Sequence, residues 1–79
     1  MKTIDGIQIA NNIKAERIRA GITIEEVCSK LNISKPTYIE YEKNASKIQT
    51  SFLIKLSNLF ECNINMFFYT KEINKMLGE

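Results

Sequence analysis

The chain has no histidine, a single proline, three glycines and only two cysteines in 79 residues. Each shortage removes a class of function. Without histidine, and with Cys28 and Cys62 far apart, no CxxC pair, zinc site or disulfide framework can be read. Neither cysteine has a nearby base to activate it, and no glycine-rich phosphate loop is present, so enzymatic activity, a metal and a cofactor are not expected. Isolated thiols suit a reducing compartment, where they serve as small packed side chains. No stretch approaches the roughly 18 apolar residues that crossing a bilayer requires. The N-terminus carries no basic-then-apolar leader with a small-residue cleavage site. A cytoplasmic chain without a membrane partner is therefore expected.

What is present is ordinary for a folded domain: 44% hydrophobic and 25% charged residues, with a net charge of +2. At this length one domain spanning 1–79 is expected, with modest net stability that a second subunit would raise. Charge of one sign is scarce. The balance is compatible with a nucleic-acid partner but lacks the basic stripe that would argue for one unaided.

Apolar spacing is helical throughout, with no strand alternation and no repeat. Ile7, Ala10, Ile13 and Ile18 predict a first helix over about 7–20, closed by Gly21. Thr23-Ile24-Glu25-Glu26 reads as a capping box opening a second helix over about 24–31, with Val27, Cys28 and Leu31 inward. Asn32-Ile33-Ser34 breaks it: asparagine accepts the left-handed turn, and Ser34 caps a third helix over about 35–43. Pro36 sits in the first turn of that helix, where its missing N–H costs nothing, and Tyr38 and Tyr41 mark the inner side. Residues 43–49 read as a loop. Thr50 or Ser51 then caps a fourth helix with an inner stripe of Leu53, Ile54, Leu56, Leu59 and Phe60. Asn63 opens a fifth helix over about 64–77, in which Met66, Tyr69, Ile73, Met76 and Leu77 recur before Gly78.

Two short helices joined by a three-residue turn form a specific arrangement. A small residue, Cys28, allows close crossing, Ile33 plugs the gap, and the third helix protrudes far enough to enter a DNA major groove. Here the chain resembles the Cro/CI-type (XRE-like) helix-turn-helix regulators. The matching strings are Ile13-Lys14-Ala15-Glu16-Arg17, Gly21-Ile22-Thr23, Glu25 through Leu31, and Ile33-Ser34-Lys35-Pro36-Thr37-Tyr38. They continue through Tyr41-Glu42-Lys43-Asn44, Leu53-Ile54-Lys55-Leu56 and Asn63 through Phe68.

The resemblance implies an all-α, five-helix lambda-repressor-like domain that binds double-stranded DNA as a homodimer and regulates transcription, as a repressor. It implies a structural ion pair between Arg17 and Glu42 that ties the third helix to the first and orients the arginine toward a phosphate. An ordinary exposed ion pair is the alternative. Base contacts are implied for Lys35, Pro36, Thr37 and Glu40, and the chemistry agrees in part. Lysine donates to guanine, glutamate accepts from cytosine, and a proline ring can touch a thymine methyl. Phosphate contacts are expected from Arg17, Thr23, Ser34, Lys43, Asn44 and Lys47.

The adjacent aromatics Phe67, Phe68 and Tyr69 cannot all face inward from one helix, which makes them the expected dimer surface; the other reading is that Phe67 and Phe68 finish the core. Two copies would present their third helices about 34 Å apart, matching a near-palindromic operator. With no ligand domain attached, a small-molecule switch is not expected. The size would suit a phage or mobile-element regulator, and the wealth of Ile, Lys and Asn an AT-rich genome.

Three departures stand out. Ile24 replaces a glutamine frequent in relatives, Asn32 and Asn44 replace glycines whose left-handed backbone asparagine accepts, and Ile48 stands where proline is common. From Gly21 to Thr50, Lys30, Lys35, Lys43 and Lys47 are balanced by Glu25, Glu26, Glu40 and Glu42, so binding per subunit should be modest unless Lys14, Arg17 and Arg19 compensate. That balance, with Ile24, Pro36 and Ile39, keeps open a protein-interaction module (antirepressor or inhibitor) on the same scaffold.

Overall fold

The computed structural model describes residues 5–70. Among them are four α-helices, α1 (Gly6–Arg19), α2 (Ile24–Leu31), α3 (Lys35–Tyr41) and α4 (Thr50–Leu59), followed by a 3-10 helix, Ile64–Phe68.

Local chemistry sets each boundary. Asp5 caps α1 by accepting the Gln8 N–H at 2.9 Å. At its other end Gly21 takes φ +75°, and the N–H groups of Gly21 and Ile22 return to the carbonyls of Ile18 and Arg17 at 3.0 and 3.1 Å. That is a Schellman closure. Thr23 and Glu26 form the reciprocal capping box, each side chain bonded to the other's backbone N–H at 3.1 Å. Asn32 ends α2 in the left-handed region, φ 54° and ψ 52°. Ser34 then caps α3, its Oγ donating to Thr37 Oγ1 at 2.7 Å while the Thr37 N–H reaches it at 3.4 Å.

Several expectations are corrected. α3 ends at Tyr41: the Glu42 N–H is shared between the carbonyls of Tyr38 and Ile39, and the Lys43 N–H bonds three residues back to Glu40, tightening the chain out of the helix. Asn44 is not left-handed; its Oδ1 instead accepts the Ser46 N–H at 2.9 Å in an Asx turn. The left-handed non-glycine residue after α4 is Glu61, at φ 53°. Gln49, not Thr50 or Ser51, is the N-cap of α4, and it makes no side-chain capping bond.

Tyr38 is completely enclosed at the centre of the core, with Ala10, Ile13, Val27, Leu56 and Phe60. Ile7, Ile18 and Ile54, expected inside, are 55%, 59% and 48% exposed. The inner face of α1 runs instead through Ile9, Ala10, Ile13 and Glu16, and α4 turns Ser57 inward where its Oγ donates to the Ile54 carbonyl at 2.8 Å.

The predicted fifth α-helix is also revised. Asn63 caps the segment, accepting the Asn65 N–H at 2.9 Å, but only a 3-10 turn follows and Tyr69 is extended. The Asn12 amide donates to the carbonyls of Phe67 and Tyr69, both at 2.9 Å, tying this segment to α1. The stretch of that expected helix at 71–77, with Ile73, Met76 and Leu77, lies outside the described residues. Phe67 is fully buried edge-on to Phe60, ring centroids 6.3 Å apart, so it is withdrawn from the expected dimer surface and completes the core. Phe68 is half-buried and Tyr69 is 42% exposed.

Candidate nucleic-acid interface

The position of α3 is set by a network beneath it. Arg17 on α1 donates from Nε to Glu42 Oε2 at 2.7 Å and from Nη2 to Oε1 at 3.3 Å, the parallel fork that a guanidinium offers a carboxylate. Its Nη1 donates to the Ile22 carbonyl at 2.9 Å, reaching the turn before α2. Glu42 also accepts a short hydrogen bond from the Tyr38 hydroxyl. The Arg17 and Glu42 side chains are only 11% and 7% exposed. The Arg17–Glu42 pair thus gathers α1, the α1–α2 turn and α3. The Glu42 bond is the main cause that raises the Arg17 pKa further; burial, and then Glu42, push the Tyr38 phenol far above its ordinary value. Three of the five N–H donors of Arg17 are engaged in this tie, which leaves two.

A second brace comes from α1's first residue. The Ala45 N–H donates to the Gly6 carbonyl at 2.9 Å, and a Cβ at position 6 would stand 2.2 Å from Asn44 Oδ1 and 2.7 Å from the Ser46 nitrogen. Only glycine lets the α3–α4 loop lie so close. Sequence patterning carries no signal for this approach, because the partners are distant in the chain.

On this support, Lys35, Pro36, Thr37 and Glu40 are all exposed. Pro36, Thr37 and Glu40 share one face of α3 by helical spacing. Thr37, Glu40, Tyr41, Asn44, Ser46 and Lys47 line a shallow open recess, so four residues expected to face DNA converge there. Tyr41, one of these lining residues, packs edge-on to Phe52 with ring centroids 5.6 Å apart.

The electrostatics of this surface are nearly self-compensating. Lys35 Nζ lies 2.7 Å from Glu25 Oε2 on α2, with both side chains more than half exposed. Hydrogen bonding to Lys35 lowers the Glu25 pKa, and the same bond raises that of Lys35. Lys43 pairs more loosely with Glu40 at 3.6 Å. Thr23 lies at the start of α2, but its hydroxyl is engaged by Glu26. The Ser34 hydroxyl is likewise engaged by Thr37. Both are exposed, yet a phosphate would have to displace an existing bond. The equal numbers of lysine and glutamate were legible in the sequence; the Lys35–Glu25 pairing across the turn was not. The Tyr38–Glu42 bond had a signal in its i, i+4 spacing.

A helix-turn-helix family model matches residues 13–67, which encloses α2, α3 and α4 and the second half of α1. The chain is 30% identical over 69 residues to the HTH-type transcriptional regulator ImmR of Bacillus subtilis (strain 168), a match covering 87% of this chain and 54% of that protein. The chain therefore spans about half the length of the curated relative it matches. No solved structure matches it significantly.

Proposed function

Because the chain belongs to the helix-turn-helix family, of the XRE-like type, we propose that it is a DNA-binding transcriptional regulator that places α3 in the major groove. The observation that carries this reading is a buried tie beneath an exposed face: Arg17–Glu42 fixes α3 from inside, leaving Lys35, Pro36, Thr37 and Glu40 outward. A groove-reading helix needs that combination, because side chains discriminate bases only when the backbone behind them is held in register.

In the proposed complex, Lys35 and Glu40 contact base edges, and Pro36 and Thr37 pack against them. Lys43, Asn44 and Lys47 meet phosphates around the recess, Thr23 and Ser34 meet phosphates at the helix starts, and Arg17 acts mainly by holding Glu42. We take the working form to be a homodimeric repressor, with Phe68 and Tyr69 the aromatic residues left to contribute to contact between copies. The test is selection of genomic fragments by the purified protein, then gel shifts over a salt series. A retained palindromic site, weakened selectively by Lys35→Ala, is the expected result; no retarded band at low salt overturns the reading. The ion pairing of Lys35 and Lys43 favours a second reading, a protein-binding module on the same scaffold. A single dominant protein recovered by pull-down, with no DNA bound, would support it.

A further inference from the structure

We propose that Glu25 is a specificity-determining residue of the DNA-facing surface, acting through Lys35: it holds the lysine in an ion pair that random phosphates open poorly and a cognate base opens well. The inference rests on the DNA-binding reading above.

Glu25 projects from the first turn of α2, is 68% exposed, and has one side-chain partner among the described residues, Lys35 Nζ at 2.7 Å. It therefore contributes to no buried network, and the capping box uses Glu26, although the Glu25 carboxylate is also favoured by its own backbone N–H at the start of α2. Lys35 likewise makes its one side-chain bond to Glu25. The pair spans the turn between α2 and α3, so both ends lie on the surface that the proposed complex would cover. The hydrogen bond to Lys35 lowers the Glu25 pKa, so the carboxylate facing the lysine is ionised at neutral pH.

A lysine so held contributes little to non-specific attraction, because a phosphate must compete with a carboxylate already in place and is repelled by it. A guanine edge presents two acceptors at a defined position and no formal charge, so Lys35 can turn to it without the new partner repelling Glu25. The acidic neighbour thus suppresses binding to arbitrary duplex more than binding to the operator, which raises the ratio that determines occupancy among many competing sites.

The test compares wild type, Glu25→Gln, Lys35→Ala and the double variant by fluorescence anisotropy, using the selected operator and a random duplex of equal length from 50 to 200 mM salt. Freeing one lysine to neutralise one more phosphate steepens the salt slope by up to about 0.9 and raises random-duplex affinity by up to about eightfold at 0.1 M salt. Glu25→Gln is expected to show this gain on random duplex, a smaller gain on the operator, and hence a lower specificity ratio. Lys35→Ala should abolish the gain. Unchanged random-duplex affinity in Glu25→Gln, or a gain that persists without Lys35, overturns the proposal while leaving DNA binding intact. Failure of the wild type to bind any duplex removes the underlying reading as well.

Discussion

Removing the guanidinium that braces α3 is the most direct test of how this domain is held together. Arg17→Ala deletes three hydrogen bonds, two to Glu42 and one to the Ile22 carbonyl, and leaves a carboxylate that is 7% exposed with the Tyr38 hydroxyl as its remaining partner. A hydrogen bond to a charged group contributes about 1.5–3 kcal/mol, and orphaning one member of a fully buried pair costs about 3–5 kcal/mol. Residual solvent access and relaxation of Glu42 bring the expected loss to about 2–4 kcal/mol. For a chain of this length total stability is about 4–12 kcal/mol, so the midpoint of thermal unfolding should fall by roughly 10–25 °C. Circular-dichroism melts and urea titrations measure both quantities. Arg17→Lys should recover less than half of the loss, because an ammonium cannot supply two parallel N–H donors and reach Ile22 as well. Arg17→Met combined with Glu42→Gln should be more stable than the sum of the single changes, since no uncompensated charge remains. A loss below about 1 kcal/mol for Arg17→Ala would put the pair among exposed surface salt bridges and refute the argument that it positions α3.

Three further outcomes are expected. Gly6→Ala should destabilise by about 1–2 kcal/mol in urea titration, since overpacking against Asn44 and Ser46 outweighs the gain in helix propensity; a stabilised variant would mean the loop moves aside freely. Phe67→Ala should cost about 3–5 kcal/mol, the same at every protein concentration, as for a core ring, whereas loss of a dimer contact would make that cost vary with concentration. Tyr38 keeps its proton in the folded state while the unfolded phenol releases it near pH 10, so stability should fall as pH rises past 10, by up to about 1.4 kcal/mol per pH unit. Urea titrations at pH 9 and 11 on wild type and Tyr38→Phe check this, and parallel losses in the two proteins would exclude Tyr38 as the cause.

The features that short-range chemistry controls were readable from one dimension. The Thr23–Glu26 box, the left-handed Asn32, the Ser34 cap and Gly21 each depend on residues no more than five apart, and the end of α1 and both ends of α2 follow from them. The Arg17–Glu42 pair was legible only by family resemblance, because helical spacing says nothing about which helices meet. The outer ends of the apolar stripes misled: Ile7, Ile18 and Ile54 fit a helical period, but period alone does not say how wide a face the neighbours will cover.

The sequence by itself determined an all-helical chain, its first caps, a near-neutral helix-turn-helix segment and an exposed α3 face. Only tertiary structure decided that Phe67 belongs to the core, that Asn12 bonds the carbonyls of Phe67 and Tyr69, that Gly6 lies under the α3–α4 loop, and that Glu25 holds Lys35. The physical reason is range. Capping and turn geometry are closed by neighbours in the chain, whereas these four outcomes depend on groups brought together by packing, whose partners no local pattern specifies.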